Sequence, residues 1–177
     1  MNREELSKSA AAHRDTVFRV ALGYVKNIHD ADDVAQNVFM KLYRHEKGFV
    51  SSESEKAWLI RVTINESKDL LRSSWKKNRD DLDESLVVPF FEKGDDFELY
   101  DYVVSLKPKY RTVIYLHYYE GYSTKEISSI LKMPQSTVTT QLSRARKQLK
   151  ESIENQSRDE ENEFLWHYCA ERERAKV

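Results

Sequence analysis

The strongest constraint on the fold lies between residues 108 and 149, where three helical patterns follow one another closely. Ser123-Thr124-Lys125-Glu126 has the form of a capping box, in which a serine and a glutamate satisfy free amides at a helix start. Lys132-Met133-Pro134 ends that helix, and a proline suits the first turn of the next one. Together with the helix that opens near Pro108, this pattern predicts a helix-turn-helix.

The third of these helices has two unlike faces. Val138, Leu142, Ala145 and Leu149 share one narrow stripe, which predicts the buried side. The opposite side carries hydroxyls and cations but no large apolar group, which suits entry into the major groove of DNA. An amphipathic helix in an ordinary bundle is the alternative. The outward and flanking positions are Ser136, Thr139, Thr140, Ser143, Arg144 and Lys147.

The chain as a whole is poor in residues that break helices. It has 4 glycines and 3 prolines, where average usage would give about 12 and about 9. This shortage excludes many-turned β-sandwiches and predicts an all-α fold. A single cysteine excludes a disulfide framework and favours a reducing compartment. No apolar run approaches the roughly 18–20 residues of a membrane span, and no signal peptide is evident, so we expect a cytoplasmic protein.

The charges are grouped in blocks, although they sum to only −1. Residues 1–79 carry +4, residues 80–105 carry −8, residues 106–150 carry +7 and residues 151–177 carry −4. Basic blocks are candidates for phosphate binding, with ordinary solvated helix faces as the alternative. The acidic stretch has little helical periodicity and contains Pro89 and Gly94. We therefore predict two small helical domains, 1–79 and 106–150, an acidic linker between them at 80–105, and an acidic, aromatic tail at 151–177.

A helix in the first block carries a polar stripe. Val34, Val38 and Leu42 mark its core side, and Asp30 is placed to cap its start. The opposite side is polar apart from one methionine. It is either a plain solvated surface or a docking surface. Its members are Asp33, Gln36, Asn37, Met40 and Arg44.

The next helix, predicted from about Ser54 to Arg72, gathers cations and an amide on one side. Such a face can hold a phosphate backbone and hydrogen-bond to base edges. Trp58 lies at the start of this face, where it either stacks on an unpaired base or joins the core. The face contains Arg61, Asn65, Lys68, Asp69 and Arg72.

In this order and spacing, the parts resemble an extracytoplasmic-function (ECF) sigma factor of bacterial RNA polymerase. Asp30–Phe39 resembles that family's polymerase-binding helix. Trp58–Asn65, followed by Asp69 and Arg72, resembles its promoter-melting helix, and residues 108–146 resemble its helix-turn-helix domain. A helix-turn-helix alone occurs in many regulators, whereas three such motifs in sequence are specific.

The resemblance implies that the first domain docks on the β′ clamp helices of core polymerase and holds the promoter's minus-ten element. It implies that the second domain reads the minus-thirty-five element, with the β flap and an anti-sigma factor as further partners. No cofactor, metal or catalytic residue is implied, because the polymerase does the chemistry. The implied polymerase-binding residues are Asp32, Asp33, Gln36, Asn37 and Met40. The implied minus-ten and melting residues are Phe49, Lys56, Trp58, Arg61, Asn65, Lys68, Asp69 and Arg72. The implied minus-thirty-five residues are Ser136, Thr139, Thr140, Ser143, Arg144 and Lys147.

The sequence departs from the family at three positions and leaves other interpretations open. Asn37 replaces a frequent Glu, a modest change that keeps a polar acceptor. Thr139 and Gln141 stand where members often carry Lys or Arg, which leaves fewer phosphate contacts. One alternative is a helix-turn-helix regulator that is not a polymerase subunit. A second is an α-helical adaptor, which the +7 block disfavours. An enzyme is disfavoured because phosphate-binding loops and nucleophile arrangements are missing. His167 and Cys169 are too few ligands for zinc.

Overall fold

The helices fall into two compact units in a computed structural model that describes residues 2–46, 48–77 and 102–156. The units are Met1–Phe90 and Phe91–Val177. The described helices of the first unit are α1 (Arg3–Val25), α2 (Ile28–Tyr43) and α3 (Ser52–Lys77). The labelled helices of the second are α4 (Pro108–Ile114), which continues as a π-helical turn (Tyr115–Tyr119), α5 (Thr124–Leu131) and α6 (Gln135–Gln156). All regular structure in the described ranges is helical, and the all-α prediction is confirmed.

In the first unit, α1, α2 and α3 pack pairwise against one another. Val17, Leu42 and Leu59 contribute fully buried side chains from the three helices. Helix α1 begins at Arg3, although regularly spaced apolar residues start only at Val17. The longer helix has a local cause, because Asn2 and Glu5 form a capping box at its start.

The start of α2 differs from the prediction that Asp30 caps it. The cap is Asn27, whose side-chain oxygen accepts a hydrogen bond from the Asp30 N–H at 3.1 Å. Lys26 adopts the left-handed conformation at φ 58° and closes α1 with a bond to the Leu22 carbonyl. This residue turns the chain so sharply that the break spans only Lys26 and Asn27, and Ile28 already belongs to α2.

In the second unit, α4 and α5 both pack against α6. Val113, Ile127 and Leu142 are completely buried and mark the shared core. Gly121 has φ +76° in the turn before α5, a conformation that glycine adopts without the strain other residues incur. Arg111 is also buried, at 2% exposure, and nothing in the sequence pattern pointed to a guanidinium inside this core.

Helical structure extends beyond both predicted limits of the second domain. Residues 102–105 are helical and Val103 is buried, although this stretch was assigned to the linker. At the other end α6 continues past Lys150 to Gln156. The rest of the acidic linker, the aromatic tail and the His167–Cys169 pair lie outside the described residues. Within the described ranges, no helix is both long and apolar enough to cross a membrane.

Candidate nucleic-acid interface and docking surface

The outward face of α2 is set by how completely the opposite face is buried. Val34, Val38 and Leu42 are at most 1% exposed, so the residues opposite them project into solvent. Met40 is 49% exposed, so a large apolar side chain stands among these polar residues. We call the exposed set the α2 face: Asp33, Gln36, Asn37 and Met40, with Asp32 half-buried at its edge.

Tyr43 extends the α2 face and was missed in the sequence. It lies one helical turn beyond Met40 and is 46% exposed. Its position seven residues after Gln36 was the available signal, since that spacing returns to the same side of a helix. The face therefore ends in two large side chains that a partner could cover.

An aromatic cluster closes the loop between α2 and α3. The rings of His45 and Phe49 stack with centroids 5.0 Å apart. Trp58 lies 4.8 Å from the His45 ring and 5.7 Å from the Phe49 ring. All three are half-buried, so Trp58 is neither a core residue nor an isolated exposed ring. His45 was not predicted to join this site, and only its closeness to the loop hinted at it.

The start of α3 is fixed by hydrogen bonds between two serines. The Ser54 N–H donates to Ser51 Oγ at 3.2 Å, and the Ser51 N–H donates to Ser54 Oγ at 3.1 Å. Bonds from its own backbone N–H and then from Ser51 lower the pKa of the Glu53 carboxyl. This cap fixes the start of α3, and Trp58 in the next turn contacts the loop residues His45 and Phe49.

The charged face of α3 is partly neutralised within the chain. Arg72 Nη1 lies 3.3 Å from Asp69 Oδ1, and both side chains are exposed. Lys68 Nζ lies 5.9 Å from the centroid of the Tyr24 ring on α1. Asn65 is exposed, and its side chain has no hydrogen-bond partner among the described residues. Arg61 and Lys56 are half-buried.

The buried side of α3 is more polar than its spacing predicted. Thr63 and Ser67 are both fully buried. Their hydroxyls donate to the carbonyls of Leu59 and Thr63 at 2.8 Å, which satisfies them without leaving the helix. The ion pair between Lys41 and Glu66 then links α2 to α3. These contacts fix the α2 face and the charged face of α3 within one unit.

The outward face of α6 is exposed throughout. Val138, Leu142 and Ala145 are fully buried, which confirms the predicted core stripe. We call the opposite, exposed set the α6 face: Ser136, Thr139, Thr140, Ser143, Arg144 and Lys147.

The hydroxyls of the α6 face are not equivalent. Thr139 and Thr140 donate theirs to the carbonyls of Gln135 and Ser136, at 3.1 and 2.7 Å. These two side chains can therefore accept hydrogen bonds and present methyl groups, but their protons are already engaged. Within the described residues, Ser136 and Ser143 hydroxyls have no such partner.

The turn between α5 and α6 is held by a direct side-chain bond. Gln135 Nε2 donates to Thr124 Oγ1 at 2.9 Å, which joins the first turns of the two helices. A helix-turn-helix with an exposed polar second helix is the form that DNA-binding proteins use to enter the major groove. Fold and surface together define a two-unit helical protein of the DNA-binding class.

Comparison with known proteins places the chain within that class. A family model for sigma-70 region 2 matches residues 10–77, and one for sigma-70 region 4 matches residues 96–149. The RNA polymerase sigma factor SigV of Bacillus subtilis is 31% identical over 140 residues, covering 76% of this chain and 82% of its own. The ECF RNA polymerase sigma factor SigW of the same organism is 30% identical over 160 residues, covering 80% and 84%.

The chain belongs to the sigma-70 family, in its ECF group. It is therefore a polymerase-associated factor in transcription initiation and not an enzyme, and the regulator alternative is disfavoured.

Solved structures agree on the fold. The sigma factor RpoE of Bartonella quintana, in complex with the anti-sigma factor NepR, gives a TM-score of 0.68 at 18% identity, over 85% of this chain and 98% of that one. CnrH in complex with the cytosolic domain of CnrY gives a TM-score of 0.62 at 20% identity, over 88% and 92%.

Proposed function

We propose that the α2 face is the surface through which this sigma factor docks on the β′ clamp helices of core polymerase. The observation that carries this is the contrast across α2, where Val38 is fully buried and Met40 is 49% exposed. An exposed methionine beside short polar side chains suits a protein partner, because Met adapts its shape and the polar groups set orientation. The contacting residues are Asp32, Asp33, Gln36, Asn37 and Met40.

The charged face of α3, with the loop before it, receives the melted minus-ten element. Its exposed amide, Asn65, is free to hydrogen-bond an unpaired base. The Phe49–Trp58 pair supplies a half-exposed aromatic surface on which a base can stack. Lys56, Arg61, Lys68 and Arg72 surround these groups with positive charge, and Asp69 orients Arg72.

The α6 face reads the minus-thirty-five element. Thr139 and Thr140 accept hydrogen bonds and offer methyl groups, which fits contact with thymine methyls and exocyclic amines. Ser136 and Ser143 donate, and Arg144 and Lys147 flank them with charge. The β flap of the polymerase is the proposed protein contact of this second domain.

The domain limits and cellular setting follow from the same assignment. Residues 1–79 form the docking and melting domain. The reading domain, predicted at 106–150, also takes in the helical residues 102–105 and the end of α6. The remainder of 80–105 and of 151–177 forms the acidic linker and tail. Because a similar fold is known in complex with an anti-sigma factor, we propose such a protein as the regulator of this chain. Its place of action is the cytoplasm, where it meets polymerase and DNA.

Co-purification and transcription test this function together. The full chain is incubated with core polymerase, isolated through a β′ affinity tag, and used in run-off transcription on a library of genomic fragments. We expect a stable complex and transcripts that depend on the chain. Duplex binding by the free chain that core polymerase does not strengthen, without any transcripts, would favour the regulator alternative.

A further inference from the structure

A cleft borders the α6 face and extends beyond the residues that the face contains. It lies between the first turn of α4 and the flank of α6 and has a volume of about 290 Å³. That volume accommodates an anionic group with several waters, each of which takes about 30 Å³. The lining residues are Lys109, Tyr110, Ser136, Thr137, Thr140, Gln141 and Arg144.

Two cations from different helices line this cleft. Lys109 is exposed on α4, and its ammonium lies 5.0 Å from the centroid of the neighbouring Tyr110 ring. Tyr110 is itself buried, so the ring is a fixed support for the ammonium. Arg144 is exposed on α6 and lines the opposite wall. The pair presents positive charge from two rigid elements to one space.

An amide side chain also borders the cleft. Gln141 lines it, and Gln141 Oε1 is buried without a hydrogen-bond partner among the described residues. A carboxamide carries an acceptor and a donor of nearly equal size, and a half-turn exchanges them. Because Gln141 lines the cleft, its Nε2 group can donate to a bound anion beside the two cations.

The position of the cleft identifies the anion. Ser136, Thr140 and Arg144 belong both to the cleft and to the α6 face, so the two surfaces are continuous. An α-helix with its side chains is about 10–12 Å across, and the major groove is about 12 Å wide. A helix lying in that groove therefore has a sugar-phosphate backbone along each flank, and one of these backbones meets the first turn of α4.

We propose that this cleft binds a backbone phosphate of duplex DNA, with Lys109 as a contact outside the recognition helix. This rests on the proposed reading of DNA by the α6 face and extends it. It also compensates for the lack of positive charge at Thr139 and Gln141, where the family often has Lys or Arg. Lys109 supplies from a neighbouring helix the charge that α6 lacks at those positions.

The test uses the full chain assembled with core polymerase, on an upstream promoter duplex drawn from the transcribed fragments. Each phosphate is replaced in turn by an uncharged methylphosphonate, and affinity is measured for wild type, Lys109→Ala and Lys109→Arg. Lys150→Ala is the matched control. It removes the same charge from an exposed position on α6 that does not line the cleft.

We expect wild type to bind more weakly when one particular phosphate is neutralised, and Lys109→Ala to lose that sensitivity. Lys109→Arg and Lys150→Ala should keep it. The slope of log affinity against log salt should fall by about 0.9 for Lys109→Ala, as for one lost phosphate contact. The advantage of wild type over Lys109→Ala should accordingly shrink about threefold between 50 and 200 mM salt.

Two outcomes would overturn the proposal. One is a Lys109→Ala protein that responds to every neutralised phosphate as wild type does. The other is an equal change of slope in Lys109→Ala and Lys150→Ala, which would mean a general effect of net charge. Failure of wild type itself to recognise any upstream element would instead remove the proposed role of the α6 face, and the cleft with it.

Discussion

Ser123 and Glu126 hold each other reciprocally at the start of α5. The Ser123 N–H and hydroxyl donate to Glu126 Oε2 at 2.8 and 2.6 Å, and the Glu126 N–H donates back to Ser123 Oγ at 3.3 Å. The bond from the Ser123 hydroxyl, followed by that from its N–H, lowers the pKa of the Glu126 carboxyl. This pair fixes where the helix-turn-helix begins.

Removing this cap should destabilise the second unit. Ser123→Ala is expected to lower its free energy of unfolding by about 1 kcal/mol, because free amides at the helix start lose their partner. Thermal unfolding followed by circular dichroism measures the change. Ser129→Ala, an exposed serine on the same helix, is the control and should change stability by no more than about 0.5 kcal/mol. Equal effects of the two substitutions would contradict the role of the cap.

The same pair predicts a dependence of stability on pH. The folded pKa of Glu126 lies below its ordinary value near 4.5, so the charged form is favoured by folding. Its stabilisation is fully present above the unfolded pKa and is lost as the pH falls through the folded pKa. Between about pH 7 and about pH 3, wild type should lose an advantage over Glu126→Gln. Parallel stability curves for the two proteins would rule this out.

Docking through the α2 face predicts a charge-reversal phenotype. Asp33 is exposed opposite a buried stripe, so Asp33→Arg should keep the helical circular dichroism of wild type. Its affinity for core polymerase should fall at least about tenfold, because a like or unpaired charge in an interface costs several kcal/mol. Glu4→Arg on α1 makes the same charge change at an exposed ion pair and should bind normally. Undiminished co-purification of Asp33→Arg would refute the docking assignment.

Asn65 should matter for melting and not for docking. Asn65→Ala is expected to reduce open-complex formation about tenfold, since a lost hydrogen bond that strands its partner costs about 1–3 kcal/mol. Permanganate reactivity of promoter thymines measures melting, and co-purification measures core binding. Ser73→Ala is a suitable control, because its exposed hydroxyl bonds only the Leu70 carbonyl among the described residues. Normal melting by Asn65→Ala would exclude this role.

Arg144 lines the proposed phosphate-binding cleft, so its loss should weaken binding to every DNA sequence. Arg144→Ala is expected to weaken binding to all single-base variants of the upstream element alike and to reduce the salt slope by about 0.9. A base contact would instead cost about 1–3 kcal/mol at one position only. Affinities across the variants distinguish the two, and unaltered affinity on all of them would remove Arg144 from the interface.

The sequence by itself determined the helices, their buried stripes and the order of the two units. Val138, Leu142 and Ala145 recur at the period of a helix, and all three are fully buried. This periodicity predicts burial because each turn of the helix adds one more apolar residue to the same side. Once the buried stripes of α2 and α6 are known, the residues opposite them must be exposed, so the sequence also predicts these exposed faces. The family resemblance then suggests their roles.

Only the tertiary structure decided which side chains meet across helices. Lys109 and Arg144 line one cleft, Lys68 lies near Tyr24, and His45 packs near Trp58, all because of how separate helices cross. The structure also decides which of two nearby residues caps α2. Asn27 and Asp30 are both good caps, and the left-handed turn at Lys26 selects Asn27. Periodicity records which face of a helix is buried, whereas contacts between helices depend on packing angles that no single helix encodes.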